Sequence, residues 1–338
     1  MANRDGIRTF STCAPSSKVD RASYVAEAVR VARWSEDAGC EGILIYTDNS
    51  LVDAWLMAQI IVQKTERICP LVAVQPVYMH PYSAAKMIAT IGHLYGRRVY
   101  INMVAGGFKN DLAALGDETP HDRRYDRVVE YATIVRQLLQ PGNTVTFEGE
   151  FYRLRNVKMT PPLDAELYPG LTMSGSSEAG LGAARATGAI GVQYPRPVRE
   201  YEHEPIASDL DLGIRIGVIA REDAAAAWTS AHARFPTDRA GQIAHHLAMK
   251  VSDSVWHKQL SELANGSDGD ENPYWLVPFE NYKTFCPYLV GSYDRVATEV
   301  ARYMRVGYRS FILDVPESPE ELGHIGEVFD RAASHVVL

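Results

Sequence analysis

Along the chain, short apolar runs alternate with longer stretches in which apolar positions recur every three or four residues. Residues 7–12, 42–46, 71–76, 99–104, 171–174, 190–194, 214–219 and 310–314 are brief and rich in Val, Ile and Leu. That is the pattern of strands buried on both faces. Residues 22–37, 51–63, 83–94, 126–139, 177–187, 319–334 and the stretch from Asp223 onward carry helical spacing. In 126–139 the apolar stripe is Val128, Val129, Ala132, Ile134 and Val135. Eight strands, most followed by a helix, predict an α/β fold of the (β/α)8 TIM-barrel type rather than a doubly wound sheet. A single barrel domain over residues 1–338 is expected, with insertions at the C-terminal face of the strands.

Two stretches break the rhythm. Residues 141–162 contain a β-prone run, 144–152, interrupted at Glu148-Gly149, which reads as a small hairpin. Residues 230–288 are longer than one βα unit needs. They hold a helical portion at 243–263, a polar turn at 265–270, and an aromatic run of Tyr274, Trp275, Phe279, Tyr282 and Phe285. Long βα insertions tend to shape a barrel's active-site mouth, so a lid or pocket wall is one reading; a packing or dimer-contact helix pair is the other.

Composition narrows the function classes. Hydrophobic residues make up 46% of the chain, enough for a large core. A net charge of -8 and the lack of any Lys/Arg block argue against a nucleic-acid partner. No apolar run reaches the ~20 residues that span a bilayer, and residues 1–9 lack the apolar core of a signal peptide. A cytoplasmic protein is therefore expected. Cys13, Cys40, Cys69 and Cys286 are scattered without metal-ligand spacing, and the adjacent His245-His246 would point apart on a helix, so no metal site is expected. Cys13, near a strand end, either faces a pocket or is plainly buried.

Two loops are built to hold a phosphate. Asn102-Met103-Val104-Ala105-Gly106-Gly107 follows a strand and precedes the stretch His121-Asp122-Arg123-Arg124-Tyr125-Asp126-Arg127. Ser174-Gly175-Ser176-Ser177-Glu178-Ala179 follows another strand and opens directly into a helix. Strand ends, small residues and a helix N-terminus offer free backbone N–H groups and partial positive charge.

At these motifs the sequence resembles the bacterial luciferase-like flavin monooxygenases, in particular the alkanesulfonate monooxygenase branch. Residues 96–107 resemble that branch's fourth strand and following loop, and residues 121–127 its His-x-x-Arg-Tyr stretch. Residues 147–152 resemble its Phe-Glu-Gly-x-x-Tyr hairpin, and residues 174–177 its Gly-Gly-Ser-Ser phosphate loop. Gly213-Ile214-Arg215 and Val290-Gly291-Ser292 continue the register. The resemblance implies reduced FMN (FMNH2) supplied by a separate NAD(P)H:flavin reductase. It also implies O2 and a small organic substrate, oxygenation through a flavin C4a-peroxide, and a homodimer or homotetramer. It implies that Ser176 and Ser177 hold the phosphate, with Tyr125 and His121 closing over it, that Asn102 contacts the flavin ring, and that Asp48 reaches the same cavity. Helix capping by the two serines, and ordinary surface or strand-end roles for Tyr125, Asn102 and His121, are the competing readings.

The chain also departs from that branch. Leu51 stands at the place of the branch's cysteine, Gly217 at that of the histidine in its Arg-x-His, and Pro316 at or near that of its tyrosine, while Arg215 is kept. The branch's cationic loop is replaced by the aromatic run. A substrate other than a simple alkanesulfonate is therefore expected, in a pocket formed by Cys13, Leu51, Tyr194, Trp275, Phe279 and Phe285. Candidate catalytic groups are His80, as acid or base, and Arg215, as an anion ligand or an ion-pair partner. A deazaflavin-dependent hydride-transfer enzyme and a non-catalytic flavin-binding protein on the same barrel remain the rival readings.

Overall fold

A computed structural model describes residues 6–202, 209–263 and 271–336. In chain order the elements begin with β1 (Arg8–Thr12), α1 (Tyr24–Asp37), β2 (Gly42–Ile45), α2 (Ala54–Lys64), β3 (Cys69–Val74), α3 (Pro81–Tyr95) and β4 (Tyr100–Val104). Next come α4 (Lys109–Ala114), α5 (His121–Leu139), β5 (Thr144–Glu148), β6 (Arg153–Lys158), β7 (Gly170–Ser174), α6 (Glu178–Thr187) and β8 (Ile190–Gln193). The chain continues with β9 (Leu212–Arg221), α7 (Ala224–Arg234), α8 (Arg239–Val251), α9 (Val255–Glu262), β10 (Tyr274–Trp275) and α10 (Val277–Glu280). It closes with β11 (Tyr288–Ser292), α11 (Tyr293–Arg305), β12 (Tyr308–Leu313) and α12 (Pro319–Ser334). The eight strands expected from the sequence are β1, β2, β3, β4, β7, β8, β9 and β12, and the fold is the α/β TIM barrel they predict.

By internal contacts the chain divides into two compact units. The N-terminal-half unit (residues 13–33 and 42–191) carries β2, β3, β4 and β7 as parallel neighbours in that order. Every residue of β2 is buried, as its continuous apolar run requires. The register of β4 on β7 sets Asn102 opposite Thr172 and Val104 opposite Ser174. Helix α5 starts at His121, five residues ahead of the helix read from the sequence. The additional turn has no stripe of its own, since it is held by polar contacts of Arg124 described below. β5 and β6 form the expected hairpin. Glu130 of α5 pins its turn by accepting the backbone N–H groups of Glu150, Phe151 and Tyr152 at 2.7, 2.9 and 3.1 Å.

The C-terminal-half unit (residues 1–12, 34–41 and 192–338) carries β1, β12, β9 and β11 as parallel neighbours, with the short β10 antiparallel to β11. β11 and α11 are additions to the sequence reading, which saw only a three-residue fragment there. The helical stretch expected at 243–263 is two helices, α8 and α9, separated at Ser252 and started by the side-chain cap of Asp238 on Gly241 N–H. Residues 265–270, read as a polar turn, lie outside the described residues.

Candidate active site

The serine loop and α5 meet. β7 ends at Ser174, and Ser177 caps α6, its Oγ accepting the Gly180 N–H at 3.1 Å. An acceptor bond leaves the hydroxyl proton of Ser177 available to another partner. A Cβ on Gly175 would lie well under 3.0 Å from the Tyr125 hydroxyl, so the missing side chain is the space that oxygen fills. Tyr125 is buried, and His121 packs edge-on against it at 5.4 Å between ring centroids. The His121 Nδ1 is in turn 2.8 Å from Asp122 Oδ1. The loop is thus a small-residue cradle at a helix N-terminus, with the Ser177 hydroxyl capping that helix, the Tyr125 hydroxyl against Gly175, and Ser176 half-buried. These donors fit a phosphate dianion, and they fit the phosphate of a flavin mononucleotide.

Asn102 stands in the middle of β4 in the same unit and is 4% exposed. Its Oδ1 accepts from Thr172 Oγ1 at 2.7 Å and from Ser174 Oγ at 2.9 Å. Its amide nitrogen donates to no described residue, so two hydroxyls clamp the carbonyl and leave an oriented N–H2 donor. Beneath the loop that follows, buried Arg124 donates to Thr119 O at 2.8 Å and to Gly106 O at 2.6 Å. Gly106 has φ +95°, the left-handed region that favours glycine. One guanidinium therefore ties the loop after β4 to the helix that carries Tyr125. Arg127 and Asp117 pair at 2.6 Å beside it. Burial works against the Asp117 charge, but bonds from Arg127 and Thr119 override it and hold that carboxyl below its ordinary range.

Three loops around the same strand ends carry the remaining candidates of this unit. Asp48 Oδ1 accepts both the N–H and the hydroxyl of Ser50 at 2.7 Å, which fixes the turn leading to half-buried Leu51. Tyr78 donates to Asn49 Oδ1 at 2.8 Å, and burial, then Asp111 and Asp48, push its phenol up to about 12. His80 caps α3, its Nδ1 accepting the Tyr82 N–H at 3.2 Å, and meets Tyr152 edge-on at 5.6 Å. Cys13 is buried, and burial pushes its thiol up to about 12 against a weaker lowering by a Tyr24 hydrogen bond. It is a neutral, buried thiol.

In the C-terminal-half unit, Arg215 is 3% exposed and lies 3.7 Å from Asp314 Oδ1. Tyr288, from β11, donates its hydroxyl to Asp314 Oδ2 at 2.8 Å. Burial, then the Asp314 charge, raise the Tyr288 phenol well above its usual value, so it stays a donor. A Cβ on Gly217 would collide with the Tyr288 ring. The glycine that replaces the alkanesulfonate branch's histidine thus has a physical reason. The ring occupies the space that a side chain at 217 needs.

The aromatic run divides. Trp275, 1% exposed, packs edge-on against Trp228 at 5.6 Å in a core of Ala231, Phe235, Cys286 and Tyr288. Phe279 is fully buried against His245 and His257 at 4.7 and 5.3 Å. Phe279 belongs to the packed interior of the insertion, and Trp275 to a core shared with α7, β9 and β11. Tyr194, just past β8, is half-buried and stacks on Trp256 of α9 at 3.7 Å, anchoring the insertion there. Phe285 is half-buried and edge-on to Tyr282 at 5.8 Å. Among the described residues no group of three or more His, Cys, Asp or Glu is placed to hold a metal, and no helix is long and apolar enough to cross a membrane.

Sequence reasoning did not single out Tyr288, Asp314, Thr172 or Arg124 for these contacts. Pairing across β4–β7, β9–β11 and β9–β12 brings the first three to their partners, and nothing local to them signals it. Arg124 lay inside a quoted motif, and an arginine next to the N-terminus of a helix usually reads as solvated surface.

The fold is that of an α/β barrel that carries a small-residue helix N-terminus together with oriented amide and hydroxyl groups on its strands and loops. The luciferase-like monooxygenase family matches residues 7–310, and the chain belongs to that family. It is 35% identical over 319 residues, 93% of each chain, to the 4-(gamma-L-glutamylamino)butanoyl acyl-carrier-protein monooxygenase BtrO of Niallia circulans. Among solved structures it is similar to long-chain alkane monooxygenase (TM-score 0.72, 16% identity, 97% of this chain and 90% of that one). It is also similar to the EDTA monooxygenase of Chelativorans sp. BNC1 (TM-score 0.71, 16% identity, 98% and 95%).

Proposed function

We propose that this monooxygenase uses reduced FMN from a separate NAD(P)H:flavin reductase to oxygenate an acyl group carried as a thioester on a carrier protein. The observation that carries the substrate class is the 35% identity, over 93% of both chains, to a relative whose substrate is borne by an acyl-carrier protein. Reduced FMN, when bound, supplies the two electrons that let O2 deliver one oxygen atom to the substrate and release the other as water. The chain's own residues bind and orient. Ser176, Ser177 and Tyr125 hold the phosphate, with His121 supporting Tyr125 from its ring edge. Asn102 presents its amide donor to the ring system, and Asp48 fixes the loop beside it. Cys13 and Leu51 make that wall apolar, which keeps water from the reacting centre.

Arg215, the cation kept from the alkanesulfonate branch, faces Asp314, so its charge is compensated. That supports a substrate other than a simple alkanesulfonate. The test is incubation with FMNH2, O2 and 4-(γ-L-glutamylamino)butanoyl thioester on a holo carrier protein, read by mass spectrometry. Gain of one oxygen atom, dependent on reduced FMN, is expected. Flavin binding without any oxygen transfer to thioesters would leave the family assignment and remove the substrate class.

A further inference from the structure

The hairpin β5–β6 has an inner and an outer face. Val145 and Leu154 are buried, while Arg153, Arg155 and Lys158 of β6 are exposed. None of these three cations makes an ion pair with any described residue. The contrast with α5 beside them is direct. There Arg123 is bonded to Asp126 and Glu150, and Arg127 to Asp117. On the hairpin, Glu148 stands opposite Arg153 in register and no other carboxylate is paired across the two strands, so the face keeps net positive charge. It does so on a chain whose net charge is -8.

The hairpin is also held firmly and in the right place. Its turn is fixed by the three N–H bonds to Glu130, by Arg123 on Glu150, and by Arg123 over the Phe151 ring at 5.7 Å. Glu130 and Arg123 lie on the helix whose first turns carry His121 and Tyr125, so the turn that leads into β6 is tied to the N-terminal half of that helix. Six strand residues cover roughly 20 Å, enough to meet one helix of a partner.

We propose that the outer face of this hairpin, through Arg153, Arg155 and Lys158, is the docking surface for an acidic carrier protein. The proposal rests on the carrier-borne substrate argued above. A carrier delivers its acyl group on a flexible prosthetic arm, so the protein needs to engage only the rim while the arm enters the site. Uncompensated cations suit that task because they steer an acidic partner into a fast, salt-sensitive and reversible encounter.

The experiment uses the full chain and its R153E/R155E/K158E variant, with two probes: the 4-(γ-L-glutamylamino)butanoyl thioester on holo carrier protein, and the same acyl group on free pantetheine. For the variant, KM for the carrier-bound probe should rise about tenfold or more, with kcat, FMN affinity and turnover of the pantetheine probe unchanged. Wild-type KM for the carrier-bound probe should rise with salt, and the variant's should respond less. Equal KM values for the carrier probe, or a parallel loss on both probes, overturn the docking surface. Wild-type turnover of the pantetheine probe with no gain from the carrier overturns it too, and leaves the proposed chemistry standing. Turnover of neither probe by an enzyme that binds reduced FMN overturns the carrier-borne substrate and this surface together.

Discussion

The ring of Tyr288 occupies the space that a side chain at Gly217 would need, and its hydroxyl is bonded to Asp314 at 2.8 Å. One aromatic residue thus explains a glycine on a neighbouring strand and holds the carboxylate that faces Arg215. Substituting Gly217 by Ala should destabilise the fold by about 1–3 kcal/mol, because the new methyl overpacks a filled site. Thermal or urea unfolding measures this. The double variant G217A/Y288A should lose less than the sum of the two single changes, since the clash disappears with the ring. Strict additivity would show that the two residues do not compete for space.

Tyr288→Phe keeps the ring and removes the donor. Asp314 then loses a buried hydrogen bond, and the expected cost is about 1–3 kcal/mol. Urea unfolding read by intrinsic fluorescence gives the value. No change in midpoint would mean that Asp314 finds another partner.

The insertion makes stability depend on pH. Burial, then the charge of neighbouring His245, lower His257 to about 4, and burial, then His246, lower His245 as well. Folding therefore holds His257 neutral where the unfolded chain, near 6.5, takes a proton. Its contribution is full above the unfolded value and declines as pH falls toward 4. The loss is on the order of 3 kcal/mol once both states are protonated, at about 1.4 kcal/mol per unit. His257→Gln should flatten the slope between pH 6.5 and 4 in chemical unfolding series. An unchanged slope would assign the acid sensitivity elsewhere.

Glu130→Gln tests what holds the hairpin. The carboxylate accepts three backbone N–H groups, and an amide can offer only one acceptor atom in its place. A loss of about 2 kcal/mol is expected. Amide hydrogen exchange at Glu150, Phe151 and Tyr152 should accelerate, while α5 stays protected. Equal exchange rates would show that the turn stands without Glu130.

Much of this was legible in the sequence, because both-face burial and helical spacing are local patterns. All eight barrel strands, and the helix at Pro319–Ser334, stand where the apolar periodicity put them. The proximity of the serine loop and Tyr125 was implied by the family resemblance. β11 was missed because Tyr288–Ser292 is short and ends on Gly291 and Ser292, so it lacks a clean run. α11 was legible and passed over: Val296, Ala297, Val300, Ala301 and Met304 form a helical stripe. Trp275 and Phe279 read as pocket wall because a sequence cannot tell a packed aromatic from a lining one. Only the partners Trp228, Phe235, His245 and His257, brought in by tertiary packing, show both to be packed in core.

The central claim is that the cradle formed by Ser176, Ser177 and Tyr125 holds a flavin phosphate, and anaerobic titration with reduced FMN and reduced riboflavin tests it most directly. The wild-type chain should bind reduced FMN more tightly than reduced riboflavin by about 2–4 kcal/mol, roughly 30-fold or more. The variant S177A/Y125F, which also loses a helix cap worth about 1 kcal/mol of stability, should bind the two nearly alike. Equal affinity of the wild-type chain for the two flavins would contradict the assignment of the cradle.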